Sequence, residues 1–275
     1  MRPSDPEMAE LVQVLKTSHG YDFSDYAPAS LRRRALALVD HYGLPDIASL
    51  SERIRSDRSL IGEVIGRLSV PVSEFFRDPE VFAVLRQDVL AVLASYPRIN
   101  IWQSGCAHGE EVYSLAILLS EAGLYERARI YATDISDKAL DAAREGIYSA
   151  RELNNYAANY LKAGGRGTLS DYFHARYGHI KLDDELKRNV VFARHNLVSD
   201  AAFCEAHLVL CRNVLIYFQP PLQRRAIGLF ADSLVRGGYL CLGTKESLLR
   251  SDGAERFELV NRPASLYRRR MDAHA

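Results

Sequence analysis

A strand, a glycine-containing turn and a helix are predicted in succession between residues 98 and 119, and this stretch most constrains the fold. Alternating residues end at the small residues of SGCAHG, after which apolar residues recur with helical spacing. Gly105 and Gly109 would let a ligand approach bare backbone where a side chain would intrude. Nucleotide-like cofactors bind at this place in α/β sheets, the carboxyl end of the first strand. The stretch therefore predicts an α/β fold with a cofactor site.

Two acidic residues, Glu110 and Glu111, begin the predicted helix and argue against a phosphate ligand. A dinucleotide enzyme would place a pyrophosphate on the free N–H groups there, and two carboxylates would repel it. The same carboxylates suit the ammonium and sulfonium of S-adenosyl-L-methionine, although acidic residues also favour helix N-termini in the absence of any ligand. Asp134 ends the next predicted strand, about where an acidic residue binds ribose hydroxyls. Together these features favour an adenosyl cofactor.

Four motifs, VSEFFRD, GCAHGEEVYSLAILL, YATDIS and CRNVLIYF, occur in this order along the chain. In these motifs the chain resembles the CheR-type chemotaxis receptor glutamate methyltransferases. The resemblance implies an α/β fold: a Rossmann-like, seven-stranded methyltransferase domain dependent on S-adenosylmethionine, with a small inserted antiparallel β subdomain, preceded by an all-α N-terminal domain. It also implies methyl transfer from S-adenosylmethionine to glutamate side chains of chemoreceptors for sensory adaptation, with S-adenosyl-L-homocysteine as the product.

The candidate site residues come partly from the resemblance, in which Ser73, Arg77, Asn196 and Leu197 match family positions, and partly from the charges, turn glycines and strand ends of the motifs. Arg77 and Tyr217 are the candidate catalytic residues. Tyr217 could donate a hydrogen bond to the incoming carboxylate, and Arg77 could hold either that carboxylate or the methionine end of the cofactor. A glutamate with a pKa of about 4.3 is already ionised at neutral pH, so the reaction needs no general base and no metal. The candidate cofactor-binding residues are Ser73, Arg77, Gly105, Glu111, Asp134, Asn196, Leu197, Arg212 and Asn213.

The first 75 residues are predicted to form a small helical domain, because apolar residues with helical spacing recur in segments that end at Gly20 and Gly43. Ser30 is the expected N-cap of the second helix. Several arginines are predicted to lie off the apolar stripe of that helix and shortly after it. They form either a solvated polar face or, as the resemblance implies, a surface that docks an acidic receptor helix. The candidate docking residues are Arg32, Arg33, Arg34, Arg53, Arg55 and Arg58.

The predicted domains are residues 1–75 and 76–275, and the inserted β subdomain is expected at about residues 160–190, where short alternating segments surround turns. Asp78 is the expected N-cap of the first helix of the second domain, with Pro79 at its first position. The loop between Phe173 and Ile180 is shorter than the resemblance implies for binding a receptor's C-terminal pentapeptide. Docking is therefore expected to depend on the helical domain.

The net charge creates no overall attraction to nucleic acid or anionic lipid, because Lys+Arg and Asp+Glu number 35 each. The longest apolar run is far shorter than the roughly 20 residues that cross a bilayer, and the first residues do not lead into a signal-peptide core. We therefore expect a cytoplasmic monomer that does not insert into the membrane and acts on the cytoplasmic helices of chemoreceptors. The four cysteines form no C-x-x-C pair, so neither a metal site nor a structural disulfide is expected.

Two other functions fit parts of the sequence. A module that binds the cofactor or its product could act in signalling by docking rather than by turnover, but the presence of Arg77, Asp134, Arg212 and Tyr217 argues against it. A nicotinamide oxidoreductase is disfavoured by the acidic first turn and by the missing G-x-G-x-x-G motif.

Overall fold

The computed structural model describes residues 5–248 and 253–271. Its N-terminal part is all-α, as predicted, and the apolar faces of its helices pack on one another around Leu11, Leu38 and Leu50. Gly20 and Gly43 end the first two helices in the left-handed conformation, with φ of 79° and 64°. The four helices are α1 (Pro6–His19), α2 (Pro28–Tyr42), α3 (Ile47–Ser56) and α4 (Ile61–Leu68).

Helix α2 begins two residues before the predicted cap, so the prediction for Ser30 is wrong. Pro28 lies in the first turn, where its fixed φ suits a helix start and its missing N–H costs nothing. Ala27 is the N-cap residue, and no side chain caps the helix. The Ser30 hydroxyl instead accepts a hydrogen bond from Arg34 Nη2 at 2.6 Å.

The second part of the chain is an α/β domain. Its first helical stretch runs through α5 (Pro79–Val84), a π-helical segment (Leu85–Val89) and α6 (Leu90–Leu93). The elements that follow up to the small insertion are β1 (Ile99–Ser104), α7 (Glu110–Glu121), β2 (Ala128–Asp134) and α8 (Asp137–Glu145). The elements after it are β6 (Val190–Arg194), β7 (Ala206–Cys211), α10 (Pro220–Ser233), β8 (Leu234–Leu242), β9 (Phe257–Asn261) and β10 (Leu266–Arg269).

Seven strands form one sheet in the order β6-β2-β1-β7-β8-β10-β9. The first five strands are parallel, and β10 is antiparallel to both of its neighbours. The chain moves outward from β1 through β2 to β6 and then returns to the other side of β1 with β7. Such a reversal opens a crevice at the carboxyl ends of the two central strands, where ligands bind. The predicted Rossmann-like, seven-stranded fold is confirmed.

The two faces of the sheet bury separate clusters of apolar residues. Side chains alternate along the central strands, so Ile101 packs on one face and Trp102 on the other. Trp102 is completely buried, and its Nε1 donates to Thr133 Oγ1 at 2.9 Å. Burial on both faces explains the continuous apolar run of residues 208–211 in β7.

The small inserted sheet is antiparallel, as predicted, but it begins before residue 160. The strands of this sheet are β3 (Ile147–Ser149), β4 (Phe173–Arg176) and β5 (His179–Leu182), in the order β3-β5-β4. Helix α9 (Leu153–Lys162) lies between β3 and β4 in the chain. Strand β3 pairs with β5, from Ile147 opposite Lys181 to Ser149 opposite His179. Sequence reasoning missed β3 because three residues are too few to show a strand period.

All four cysteines carry free thiols, three of them buried. In residues 5–248 and 253–271, no helix has the length and apolar character needed to cross a bilayer.

Candidate functional site

An open cavity lies at the carboxyl ends of β1, β2 and β7, where the sheet faces the helical domain. Its empty space, including the part open to solvent, is about 900 Å³. All the candidate catalytic and cofactor-binding residues line it: Ser73, Arg77, Gly105, Glu111, Asp134, Asn196, Leu197, Arg212, Asn213 and Tyr217.

The turn after β1 presents backbone to the cavity. Gly105 and Gly109 have φ of 69° and 92°, a region that favours glycine. A Cβ atom on Gly105 would collide with Val214, and one on Gly109 would lie 2.9 Å from Ala143 Cβ. The two glycines therefore allow close approach of the loop after β7 and of helix α8.

The Asp134 carboxylate is held in a fixed orientation at the end of β2. Its Oδ2 accepts the N–H of Ala107 at 2.9 Å, and its Oδ1 accepts the N–H of Ser136 at 3.0 Å. Burial raises the pKa of Asp134, while hydrogen bonds from these N–H groups act in the opposite direction. Each oxygen keeps a second lone pair. The group is suited to accept hydroxyl donors such as those of a ribose.

The residues after β6 form the neighbouring part of the wall, since the His195 N–H donates to the carbonyl of Asp134 at 3.1 Å. Asn196 Oδ1 accepts the N–H of Val198 at 3.0 Å, and the Asn196 N–H donates to Asp200 Oδ2 at 2.8 Å. The buried Leu197 side chain lies beside Asn196 on the cavity wall. An apolar side chain next to an amide suits a flat ring with polar edges, such as adenine.

A buried ionic network lies beneath the cavity, centred on the fully buried Arg212 side chain. Arg212 Nη1 is paired with Glu111 Oε2 and also donates to the carbonyl of Arg77 at 3.0 Å, while Nη2 pairs with Asp78 Oδ2 at 2.6 Å. The other Glu111 oxygen accepts from Gln103 Nε2 at 2.7 Å. The network therefore links β1, β7 and α7 to the segment between the two domains.

Asp78 is the N-cap residue of α5 and Pro79 its first residue, as predicted, but the Asp78 side chain makes no capping hydrogen bond because its carboxylate binds Arg212 instead. Both Asp78 and Phe76 have φ of 52°, which is uncommon for residues other than glycine. The Phe76 N–H donates to Ser114 Oγ at 2.8 Å, so each of the two residues is tied to a different element. Arg77 lies between them, half-buried on the cavity wall.

Arg34 is not part of the exposed docking surface to which sequence reasoning assigned it. It is only 9% exposed and lies one helical turn after Leu31, on the buried face of α2. Its Nη1 donates to the carbonyl of Leu68, and its guanidinium carbon lies 4.7 Å from the centre of the Tyr217 ring. Burial lowers the pKa of Arg34. Arg34 therefore brings a cation from the helical domain into the cavity wall.

The other five candidate docking arginines are exposed on the helical domain. Four of them contact groups of that domain: Arg32 pairs with Asp5, Arg55 pairs with Glu10, Arg53 stacks on Tyr42, and Arg58 donates to the carbonyl of Ser18. Arg33 makes no ion pair with the residues that the structure describes. Exposed pairs are weak, so these cations can exchange their present partners for others.

Two residues important to the site geometry were missed by sequence reasoning. Gln103 positions Glu111, and Glu246 accepts hydrogen bonds from three backbone N–H groups, including that of Asn213. A glutamine near the end of the buried strand β1, and an acidic residue soon after β8 at the same edge of the sheet, were the available signals. Among the described residues, no group of three or more His, Cys, Asp or Glu side chains is placed to hold a metal.

Comparison with known families accounts for both parts of the chain. A family model described as "CheR methyltransferase, SAM binding domain" matches residues 71–264, and one described as "CheR methyltransferase, all-alpha domain" matches residues 6–69. The chain belongs to the CheR methyltransferase family. The resemblance stated from the four sequence motifs is thereby confirmed.

This CheR family member is similar to two of its relatives over nearly its whole length. It is 44% identical over 268 residues to "Putative methyltransferase Cher3" of Pseudomonas putida, an alignment that covers 98% of each chain. It is 31% identical over 280 residues to "Chemotaxis protein methyltransferase 1" of Vibrio cholerae, with 96% of this chain and 97% of the relative covered.

The SAM-binding family model spans the residues that form the cavity in the α/β domain, and the predicted cofactor, S-adenosylmethionine, is confirmed. The residues present fit this group. Asp134 offers carboxylate oxygens at one part of the wall, and Asn213 Oδ1 is buried with no hydrogen-bond partner in the described ranges. An unpartnered acceptor on the cavity wall suits the ammonium of the methionine end.

Proposed function

We propose that this CheR family member transfers methyl groups from S-adenosylmethionine to glutamate side chains of chemoreceptors, producing glutamyl methyl esters. The observation that carries the proposal is the meeting of Arg34, Arg77 and Tyr217 on the wall of the cofactor cavity. Two arginines beside a phenol provide a binding site for a carboxylate. The name of the Vibrio cholerae relative, a chemotaxis protein methyltransferase, supports the choice of chemoreceptors.

The proposed chemistry depends on positioning. A carboxylate oxygen forms a bond to the methyl carbon while the bond from that carbon to sulfur breaks and its electron pair remains on sulfur. The two opposite charges neutralise each other, so alignment and exclusion of water are the main contributions of the protein. In this scheme Arg34 and Arg77 attract the carboxylate, and the Tyr217 hydroxyl donates to the oxygen that does not attack.

The test is transfer of radiolabelled methyl from S-adenosylmethionine to receptor cytoplasmic fragments. We expect label that mild alkali releases as methanol, because a carboxyl ester hydrolyses in base and an N-methyl group does not. A receptor fragment with its acceptor glutamates changed to alanine is the matched control and should not be labelled. Label that resists alkali would contradict glutamate methylation, and cofactor binding without labelling would favour a signalling module that acts by docking.

A second expectation concerns Tyr217→Phe, which removes the hydroxyl and keeps the ring on which Arg34 stacks. A hydrogen bond to a charged acceptor such as a carboxylate contributes about 1.5–3 kcal/mol, so kcat should fall roughly ten- to a hundredfold. The dissociation constant of adenosylhomocysteine, measured by calorimetry, should stay constant. An unchanged kcat would show that the hydroxyl does not touch the acceptor.

Recruitment of the receptor is proposed to depend on the exposed arginines of the helical domain. Support comes from the hairpin between β4 and β5, whose connection consists of Tyr177 and Gly178 alone and offers little to hold a peptide. Arg32 and Arg33 lie on the exposed face of α2, the helix that also carries Arg34 into the cavity.

Combined replacement of Arg32 and Arg33 by glutamate is expected to weaken receptor methylation. Added salt should weaken methylation by the wild type as well, since exposed charges are screened beyond about 8–10 Å near physiological ionic strength. Adenosylhomocysteine affinity should not change, and reversing the exposed Arg188 and Arg262 provides a charge-matched control. If removing the last residues of the receptor abolishes methylation and the Arg32/Arg33 variant behaves as wild type, recruitment runs through the inserted sheet.

A further inference from the structure

The loop of residues 213–219, which follows β7, carries Tyr217 on the cavity wall. The Glu246 carboxylate holds the first part of this loop. Its Oε2 accepts the N–H groups of Asn213 at 2.9 Å and Gly243 at 2.6 Å, and its Oε1 accepts the N–H of Ile216 at 3.1 Å. One side chain therefore connects the 213–219 loop to the end of β8.

Glu246 is only 6% exposed, and it makes no ion pair with the described part of the chain. A buried carboxylate is costly unless it is fully hydrogen-bonded, and here backbone N–H groups provide those bonds. A glutamine could not replace it, because its amide has one acceptor oxygen and would turn N–H groups towards N–H donors. The charge is therefore specifically suited to gathering these three donors.

The fit around Glu246 leaves no spare room. A Cβ atom on Gly243 would lie 2.7 Å from Glu246 Oε2 and 2.8 Å from the nitrogen of Asn213. Asn213 itself has φ of 60°, a left-handed conformation that asparagine adopts more readily than most residues other than glycine. The hydrogen bond from the Asn213 N–H to Glu246 holds the backbone in this conformation.

The far end of the loop is held by the helical domain. The Ala27 N–H donates to the carbonyl of Tyr217 at 2.8 Å, and the Gln219 N–H donates to the carbonyl of Asp25 at 2.8 Å. Tyr217 thus lies between two anchors. Glu246 supplies the anchor within the α/β domain, and the segment before α2 supplies the anchor in the helical domain.

We infer that Glu246 is a positioning residue for methyl transfer, which acts by holding the 213–219 loop so that Tyr217 meets the acceptor carboxylate. The inference rests on the proposed function, since it gives Tyr217 its role. It adds that Glu246, an acidic residue just after β8 that does not itself line the cavity, affects the reactivity of the site through the loop that it holds.

The test compares Glu246→Gln with Glu121→Gln, a change to another buried carboxylate that pairs with Arg86 and does not line the cavity. We expect Glu246→Gln to lower kcat for receptor methylation about tenfold and to change adenosylhomocysteine affinity less than about threefold. Glu121→Gln should leave kcat near wild type. Equal losses of kcat in the two variants would overturn the inference, and so would a loss of affinity as large as the loss of kcat.

A double variant shows whether Glu246 acts through Tyr217. In a Tyr217→Phe background, Glu246→Gln should lower kcat much less than it does in the wild type, because the hydroxyl that it positions is absent. A merely structural role would give the same factor in both backgrounds and would overturn the inference. If Glu246→Gln does not fold, Glu246→Asp, which keeps the charge, takes its place in the same comparison.

Hydrogen exchange separates failure of this inference from failure of the proposed function. With adenosylhomocysteine bound, amides of residues 213–217 should exchange faster in Glu246→Gln than in wild type or Glu121→Gln. This measurement needs no receptor. Unchanged exchange would show that Glu246 does not hold the loop, even if receptors are methylated. Faster exchange in a protein that methylates no receptor would contradict the proposed function but not the role of Glu246 in holding the loop.

Discussion

Replacing Arg212 by methionine is expected to lower the free energy of unfolding by about 3–5 kcal/mol, because it leaves a buried charge without its partner. Methionine has a similar length but no charge and no donor. Glu111, whose side chain is only 8% exposed, would lose its cation, whereas the Asp78 side chain is 34% exposed and could be solvated by water. Urea unfolding measures the change.

The matched comparison removes both charges. The double variant Arg212→Met/Glu111→Gln should recover a large part of the loss, since the uncompensated carboxylate is gone and Gln103 keeps an amide neighbour. A surface change, Arg188→Met, should have little effect because its partner Glu126 is exposed. A loss of less than about 1 kcal/mol in Arg212→Met would mean that the pair is not a significant source of stability.

Asp134→Ala is expected to weaken adenosylhomocysteine binding about ten- to a hundredfold, because charge-assisted hydrogen bonds to the ribose hydroxyls contribute roughly 1.5–3 kcal/mol. The N–H groups of Ala107 and Ser136 fix the direction of the Asp134 carboxylate, which makes it specific for hydroxyl donors placed like those of the ribose. Calorimetry with the purified protein measures the dissociation constant. NAD should bind neither the wild type nor the variant at comparable strength.

Asp134 also holds the turn after β1, so a control must separate this role from ribose binding. An analogue of adenosylhomocysteine that lacks both ribose hydroxyls should bind the wild type and Asp134→Ala with similar affinities. If the variant weakens the analogue as much as the parent compound, Asp134 acts by shaping the turn and the ribose binds elsewhere.

The position of Arg34 changes how the helical domain is understood. Sequence reasoning treated this domain as a surface for docking, with Arg34 as one of six equivalent cations. The structure places Arg34 on the cavity wall against Tyr217, while Ala27 bonds to the backbone of Tyr217. The helical domain therefore completes the wall of the cofactor cavity in addition to presenting exposed arginines.

At two predicted helix caps the side chain binds an arginine instead of the helix N-terminus. Asp78 occupies the N-cap position of α5, as its place before proline predicts, whereas Ser30 lies inside α2 and the prediction for it is wrong. The Asp78 carboxylate binds Arg212 from 134 residues away, and the Ser30 hydroxyl accepts from Arg34 one turn along. Capping contributes about 1 kcal/mol, which a buried charge that lacks other partners can outweigh.

The sequence by itself determined the α/β fold, the all-α N-terminal part and the place of the cofactor turn, because hydrophobic period and turn glycines are local properties of the chain. It also predicted that Asp134 and Tyr217 belong to the site, and the structure places both on the cavity wall. Only the tertiary structure decided the partners of buried charges: Arg212 with Glu111 and Asp78, Arg34 with Tyr217, and Glu246 with three backbone N–H groups. A charge can be buried only where distant segments bring donors and acceptors together, and no local pattern records that meeting.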